Sequence, residues 1–367
     1  MTSLYVHIPF CQKKCFYCSF VVTIGQDDRI NAYLDGLDGE AKRYQNTELR
    51  TIYVGGGTPT HMGLGQLKKL FSILKQNFRF RSDCEWTLEA NPEGLDLDKA
   101  KLLKDYGVNR VSLGVQSLND RYLKYLGRTH DSHQAIKAFE NLRQAGFTNI
   151  NLDLMYSFPG QTSEEIKEDV AVLVGLGSEH LSLYTLTIED ESRFYARRLE
   201  LEDGAVQAQQ YSLVVSLLKQ TAFRQYEISN FARPGFQSRH NLNYWQGGEY
   251  IGLGVGAHSH LSGERSWNVS RFQEYLSLTR QHKRPVAGKE RLGHEDRFME
   301  LFLVGLRMNE GLRLKDLGRK LGCALPSFQR SIVDQMIEQG LLAQEEDHLK
   351  ATDTGRLVLD EIAARLI

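Results

Sequence analysis

The chain has 367 residues, enough for one large domain and a smaller companion, with 41% hydrophobic and 25% charged content, as in an ordinary globular protein. A formal net charge of −1 leaves no global basic field to gather nucleic acid. The five cysteines, three of them in one short loop, do not resemble a disulfide framework, and no basic-then-apolar leader or apolar run of about 18 residues appears. The expected compartment is therefore the reducing cytoplasm.

Taken in order, short β-branched or aromatic runs alternate with longer amphipathic ones. Strands are expected over 4–8, 51–54, 85–89, 110–115, 149–155 and 181–186. Helical patterns lie between and after them, over 28–44, 65–76, 98–106, 133–145, 163–176 and 204–221. Strand then helix, six times over, predicts parallel βα units with ligands at the C-terminal strand ends. Periodicity alone does not separate an open six-unit barrel from an eight-unit barrel or a doubly wound sheet. From about Phe223 the rhythm breaks, and residues 226–262 are rich in Gly, Asn, Tyr and Trp. A helix is expected over 295–307, then helix, helix, hairpin and helix over 314–321, 326–339, 341–351 and 354–366, an order like that of a winged helix. Residues 312–367 carry eight Lys/Arg against nine Asp/Glu, which argues for a packing or substrate-covering module and against a DNA reader. The expected divisions are 1–222, 223–290 and 291–367.

The most informative local feature is Cys11, Cys15 and Cys18, spaced C-x3-C-x2-C. Thiolates hold iron–sulfur clusters, and three of them can bind three irons of a [4Fe–4S] cubane while leaving the fourth open to a chelating small molecule. The alternatives are a zinc site or three unrelated cysteines; zinc wants a fourth Cys or His nearby, and His7 lies before the loop in a strand.

Gly55-Gly56-Gly57-Thr58-Pro59-Thr60 follows the second strand. Such a turn lets backbone approach a ligand closely, and it lacks the Gly-Lys-Ser/Thr of a phosphate loop. Glu89, Gln116 and Asp153 fall on successive strands, and Arg128 follows in Leu126-Gly127-Arg128-Thr129. A strand-tip carboxylate can pair with an ammonium or accept from ribose hydroxyls. Each residue alone is more often a structural polar group; together they form a ring of polar side chains on successive strand tips.

Together these motifs resemble the radical SAM superfamily, and over nearly the full length the coproporphyrinogen dehydrogenase (HemN) branch within it. The resemblance implies an α/β fold, an open (βα)6 barrel with an α-rich, winged-helix-like C-terminal domain. It implies a [4Fe–4S] cluster on Cys11, Cys15 and Cys18, with S-adenosylmethionine (SAM) on its open iron. Tyr5, Gly56 and Glu89 match positions that contact that SAM. Gly57, Thr58, Gln116, Arg128 and Asp153 match positions that contact a second SAM; here they could equally line a substrate cavity or shape the first site. Two departures point to the sister group, the HemW-type heme chaperones: Phe20 stands where the dehydrogenase has a further cysteine, and the dehydrogenase's long N-terminal arm is not seen ahead of the cluster strand.

His240-Asn241-Leu242-Asn243-Tyr244-Trp245 reads H-N-x-x-Y-W. Imidazole is a common axial ligand to heme iron, Tyr244 and Trp245 offer flat apolar faces, and Asn241 could orient the ring. From the residues alone, an aromatic loop with His240 hydrogen-bonded in place is the competing account. The resemblance favours heme. His258 and His260 are further candidates, with structural roles as probable. The implied function is a heme chaperone passing heme to acceptor heme proteins, with respiratory proteins as candidates; the alternative is radical decarboxylation of coproporphyrinogen III to protoporphyrinogen IX. The resemblance leaves room for peripheral membrane attachment and a homodimer.

Overall fold

A computed structural model describes residues 2–366. All six expected parallel strands form: β1 (Thr2–Ile8), β2 (Glu48–Gly56), β3 (Arg79–Ala90), β4 (Arg110–Gln116), β5 (Ile150–Tyr156) and β6 (His180–Thr185). They pair in chain order, parallel throughout. Between them run α1 (Ile30–Ala41), α2 (Leu64–Asn77), α3 (Leu97–Asp105), α4 (Asp120–Leu126), α5 (Ser132–Gln144) and α6 (Ser163–Leu176). The sequence pattern missed α4, a short helix capped by Asn119 and ended by Gly127 in the left-handed region. Stronger local signals fix its neighbours. Asp131 with Gln134, and Thr162 with Glu165, form capping boxes at the starts of α5 and α6.

The period-two alternation of these strands divides the molecule into two environments. Leu4, Val6, Ile52, Val54, Val111, Leu113, Leu152, Leu154 and Leu181 are buried in the core shared with the helices. Burying each contributes about 1.5–3 kcal/mol. The intervening residues include Tyr5, Thr51, Tyr53, Glu89, Ser112, Asn151, Asp153 and Ser182. They hydrogen-bond to one another or line a cavity, so the barrel interior is polar.

Further strands extend the sheet on both sides: β7 (Arg224–Gln225), β8 (Asn230–Ala232), β9 (Tyr250–Leu253), β10 (His258–Leu261), β11 (Glu264–Asn268) and β12 (Val286–Arg291). Among the described residues the order is β12-β11-β10-β9-β1-β2-β3-β4-β5-β6-β8-β7. β9 runs parallel to β1, and β8 antiparallel to β6.

Past these strands the chain builds a second, smaller core around Phe298, Phe302, Val333, Met336 and Leu349. Helices His294–Gly305, Leu314–Leu321 and Ser327–Glu338 precede the hairpin β14 (Leu342–Glu345) and β15 (His348–Ala351). β13 (Leu312–Arg313) adds a third strand beside β15, and helices Asp353–Leu357 and Leu359–Leu366 follow. The module joins the barrel by backbone at Asn309 N–H to Tyr226 O, 3.0 Å, and through Lys320 to Gln246 O, 3.3 Å.

Candidate functional site

The cysteine loop leaves the C-terminal end of β1 and is pinned from three sides. Gly57 and Thr58 donate their N–H groups to Ile8 O and Phe10 O, both at 2.8 Å. Thr23 N–H closes back on Pro9 O at 2.7 Å, and Phe16 N–H reaches Leu126 O at 2.9 Å. All three thiols are free and partly exposed. Cys11 Sγ lies 3.4 Å from Thr58 Oγ1, and Arg128 Nη1 donates to Cys15 Sγ at 3.5 Å. Burial pushes the Cys11 thiol up to about 11 and raises that of Cys18. A cation lying against the loop offsets part of that cost when the sulfurs ionise. Among the described residues no three His, Cys, Asp or Glu side chains stand close enough to share one metal ion. A cubane asks for a wider set, one thiolate on each of three irons, and the loop supplies three sulfurs around one opening.

The glycine turn fits against β1 with no room to spare. Gly56 has φ +106°, and a Cβ there would lie 2.4 Å from the His7 ring; one on Gly57 would lie 2.7 Å from Ile8 O. Beneath the turn, Glu89 accepts from Tyr53 OH at 2.7 Å and from Gly56 N–H at 2.9 Å. Burial raises its carboxyl to about 7 despite these donors. Asp153 is likewise raised by burial and accepts from Asn151 Nδ2 at 2.7 Å and Ser112 Oγ at 3.0 Å. Arg128 is further fixed by Asn91 Oδ1 at 2.8 Å and Gly114 O at 3.0 Å. Gln116 ends β4 in the left-handed region, φ +65°, a conformation that costs a non-glycine residue about 1–3 kcal/mol.

These groups open on one cavity of about 1170 Å³ that reaches from the cysteine loop to the C-terminal module. It is lined by Cys11, Cys15 and Cys18 and by Gly56, Gly57, Thr58, Glu89, Gln116, Arg128 and Asp153. Tyr5 is not in the lining; its hydroxyl meets His7 Nδ1 at 2.9 Å. The fit to a cluster and SAM is good in kind. Three thiols, a tight glycine turn and a buried carboxylate share one chamber that is large enough for both and for a further ligand.

The H-N-x-x-Y-W residues lie elsewhere. Helix Arg239–Trp245 plugs the opposite, N-terminal end of the barrel. Glu85 caps it from β3, accepting the N–H groups of Arg239 at 3.1 Å and His240 at 3.0 Å. His240 is 1% exposed, with Nδ1 on Thr51 Oγ1 at 2.8 Å and Nε2 on Tyr244 OH at 3.0 Å. Thr51 and Tyr244 therefore orient the imidazole, in the place foreseen for Asn241. Burial, then the Arg110 charge, pushes His240 down to about 3, so the ring is neutral at ordinary pH. None of His240, Asn241, Tyr244 and Trp245 lines the cavity. His258 stacks on Trp267, and His260 lies beside Arg297.

Several residues of the interior were not foreseen. Tyr53 links the two ends: its hydroxyl binds Glu89, and its ring centroid lies 5.2 Å from that of His240. Arg110 is buried at the start of β4, and Tyr17 and Arg307 line the cavity. Period two marks Tyr53 and Arg110 as inward, since they alternate with apolar residues. Nothing local marks Arg307.

Residues 5–173 match the model of the Radical SAM superfamily, and 292–358 that of the HemN C-terminal domain. The solved structure of coproporphyrinogen III oxidase (HemN) from Escherichia coli, described as a radical SAM enzyme, aligns with TM-score 0.88 over 100% of this chain and 89% of its own. At 24% identity that likeness speaks for the fold. Fold and domain content thus define a radical SAM protein of the HemN architecture. Heme chaperone HemW of Bacillus subtilis (strain 168) is 37% identical over 99% of this chain and 98% of its own, and that of Lactococcus lactis is 36% identical over 96% and 94%. HemW of Escherichia coli (strain K12) is 32% identical over 98% and 96%. The chain belongs to this HemW family.

Proposed function

We propose that the protein is a heme chaperone that holds heme and passes it to heme-requiring acceptor proteins, with a [4Fe–4S] cluster and SAM bound at the cysteine end of the barrel. The observation that carries the reading is one large cavity running from three convergent thiols to the C-terminal module, in a chain matched end to end by relatives named as heme chaperones. Cys11, Cys15 and Cys18 would hold the cluster, and Gly56 and Glu89 would receive the amino-acid end of SAM or its ribose. A cluster held there would be able to supply one electron to the sulfonium of SAM. Arg128 sets positive charge beside Cys15, and the Gly57 and Thr58 amides fix the loop.

Phe20 favours this reading over the dehydrogenase. It stands where the dehydrogenase branch has a cysteine, lines the cavity and is 62% exposed. The tetrad's part in binding heme would require a rearranged state. Iron reaches His240 only after helix Arg239–Trp245 withdraws, which breaks the bond to Thr51, and after the ring releases Tyr244 on the same helix, at about 1 kcal/mol each. Among the described residues no helix is long and apolar enough to cross a membrane. The test is anaerobic reconstitution with iron and sulfide, then titration with heme and, separately, with coproporphyrinogen plus SAM. Saturable heme binding without protoporphyrinogen supports the chaperone. Protoporphyrinogen formation would transfer the chain to the enzyme reading.

A further inference from the structure

The cavity has a far chamber, between the β6 edge of the barrel and the C-terminal module, with a mixed lining: apolar at Leu183, Ile228, Leu341 and Leu357, acidic at Asp360 and Glu361. Two arginines reach it, Arg307 and Arg356. Arg356 donates to Asp353 at 2.8 Å, which occupies its charge. Arg307 is different. Its Nε is buried with no hydrogen-bond partner among the described residues. The Glu227 carboxylate stands 3.9 Å from its Nη2, beyond hydrogen-bond reach. Glu227 Oε1 is meanwhile taken by Ser229 N–H and Asn230 Nδ2, at 2.9 and 2.5 Å. What holds the guanidinium is a cation–π contact, its central carbon 5.1 Å from the centroid of the Trp245 ring.

A guanidinium with unmet donors beside the apolar side chains of Leu183, Ile228 and Leu341 suits a carboxylate on an otherwise apolar ligand, since its planar fork matches the two oxygens. Heme is such a ligand, a flat apolar disc with two propionates. Resting on the heme reading above, we propose that Arg307 receives a propionate of the cargo in this chamber, with Trp245 as the platform that keeps the fork in place. The tetrad's tryptophan then serves heme at one remove, through the arginine it carries. Glu227 balances the guanidinium's charge, and at 3.9 Å it leaves the donors available.

The test compares heme with its dimethyl ester, which keeps the ring and iron and lacks free carboxylates. Both are titrated by Soret absorbance into the full-length reconstituted protein, as wild type, Arg307→Gln and Arg307→Lys, with melting temperatures recorded to verify folding. Wild type should prefer heme by about tenfold, the scale of one charge-assisted contact. Arg307→Gln should bring the preference within about twofold while ester binding persists, and Arg307→Lys should restore part of it. An Arg307→Gln protein that still prefers heme tenfold overturns the proposal, as does a wild type that binds both forms equally, and in either case the heme reading survives. A wild type that binds neither form overturns the heme reading and this proposal with it. If Arg307→Gln melts early, Arg307→Lys decides: full preference with the charge kept and the fork removed overturns the fork assignment, and a reduced preference supports it.

Discussion

At the mouth of the barrel, Cys11 and Cys15 each touch a single side chain and face a large cavity. At the floor, both nitrogens of His240 and both carboxylate oxygens of Glu85 are engaged and shut away from solvent. Both places hold residue types associated with metal chemistry at short spacing. The difference lies in what is left unsatisfied. A site that awaits a ligand keeps donors and acceptors free, whereas one that has spent them on its neighbours acts first as structure. A motif read from sequence cannot distinguish these conditions.

The sharpest way to break the comparison is at the mouth. Serine in place of Cys11, Cys15 and Cys18 together should reduce iron and sulfide after anaerobic reconstitution to background and abolish the cluster's visible absorbance, with little change in the melting temperature of the metal-free protein. Retained cluster would remove the loop from its assigned role. At the floor the balance should reverse. His240→Ala leaves Tyr244 unpaired, takes one of the two partners of Thr51 and opens a cavity, costing about 2–4 kcal/mol in denaturant unfolding. A loss under 0.5 kcal/mol would mean that the plug is not structural.

Glu89 tests the joint between the two ends. Its carboxyl is raised by burial to about 7, above its unfolded value, so the folded state binds the proton more tightly. Its contribution to stability is therefore greatest in acid and is lost as pH rises from the unfolded carboxyl range through 7. SAM that needs the ionised form should bind about tenfold more tightly at pH 8 than at pH 6 through this group alone. Glu89→Gln should flatten that part of the profile, measured by calorimetry on the reconstituted protein. An unchanged slope would detach Glu89 from the SAM site. The smallest effect is expected at exposed Phe20, where Phe20→Cys should shift stability by less than about 0.5 kcal/mol and leave the iron content unchanged.

The six parallel strands were legible because their alternation is strict, one face apolar and the other polar. The cysteines and the glycine turn were legible because their spacing is local. Helix Arg239–Trp245 was not, since two asparagines, a histidine and two aromatics give poor intrinsic propensity. Ser238 gives it a local cap, and it forms because Glu85, distant in sequence, takes two further N–H groups and the barrel floor receives it. Strands β9 to β12 escaped notice for a related reason: β9, β10 and β12 carry glycine or histidine, and the group is ordered outward from the pairing of β9 with β1. Arg307 draws its meaning from Trp245 and the chamber wall, so no window of sequence contains it.

The seating of β9 beside β1 has a consequence for how the molecule is made. β1 leaves the ribosome well before β9, so one of its two hydrogen-bonding edges waits for Tyr250–Leu253. The thiol-bearing loop thus hangs from a half-paired strand through most of translation, and nascent chains halted before that point should be hard to load with iron and sulfide.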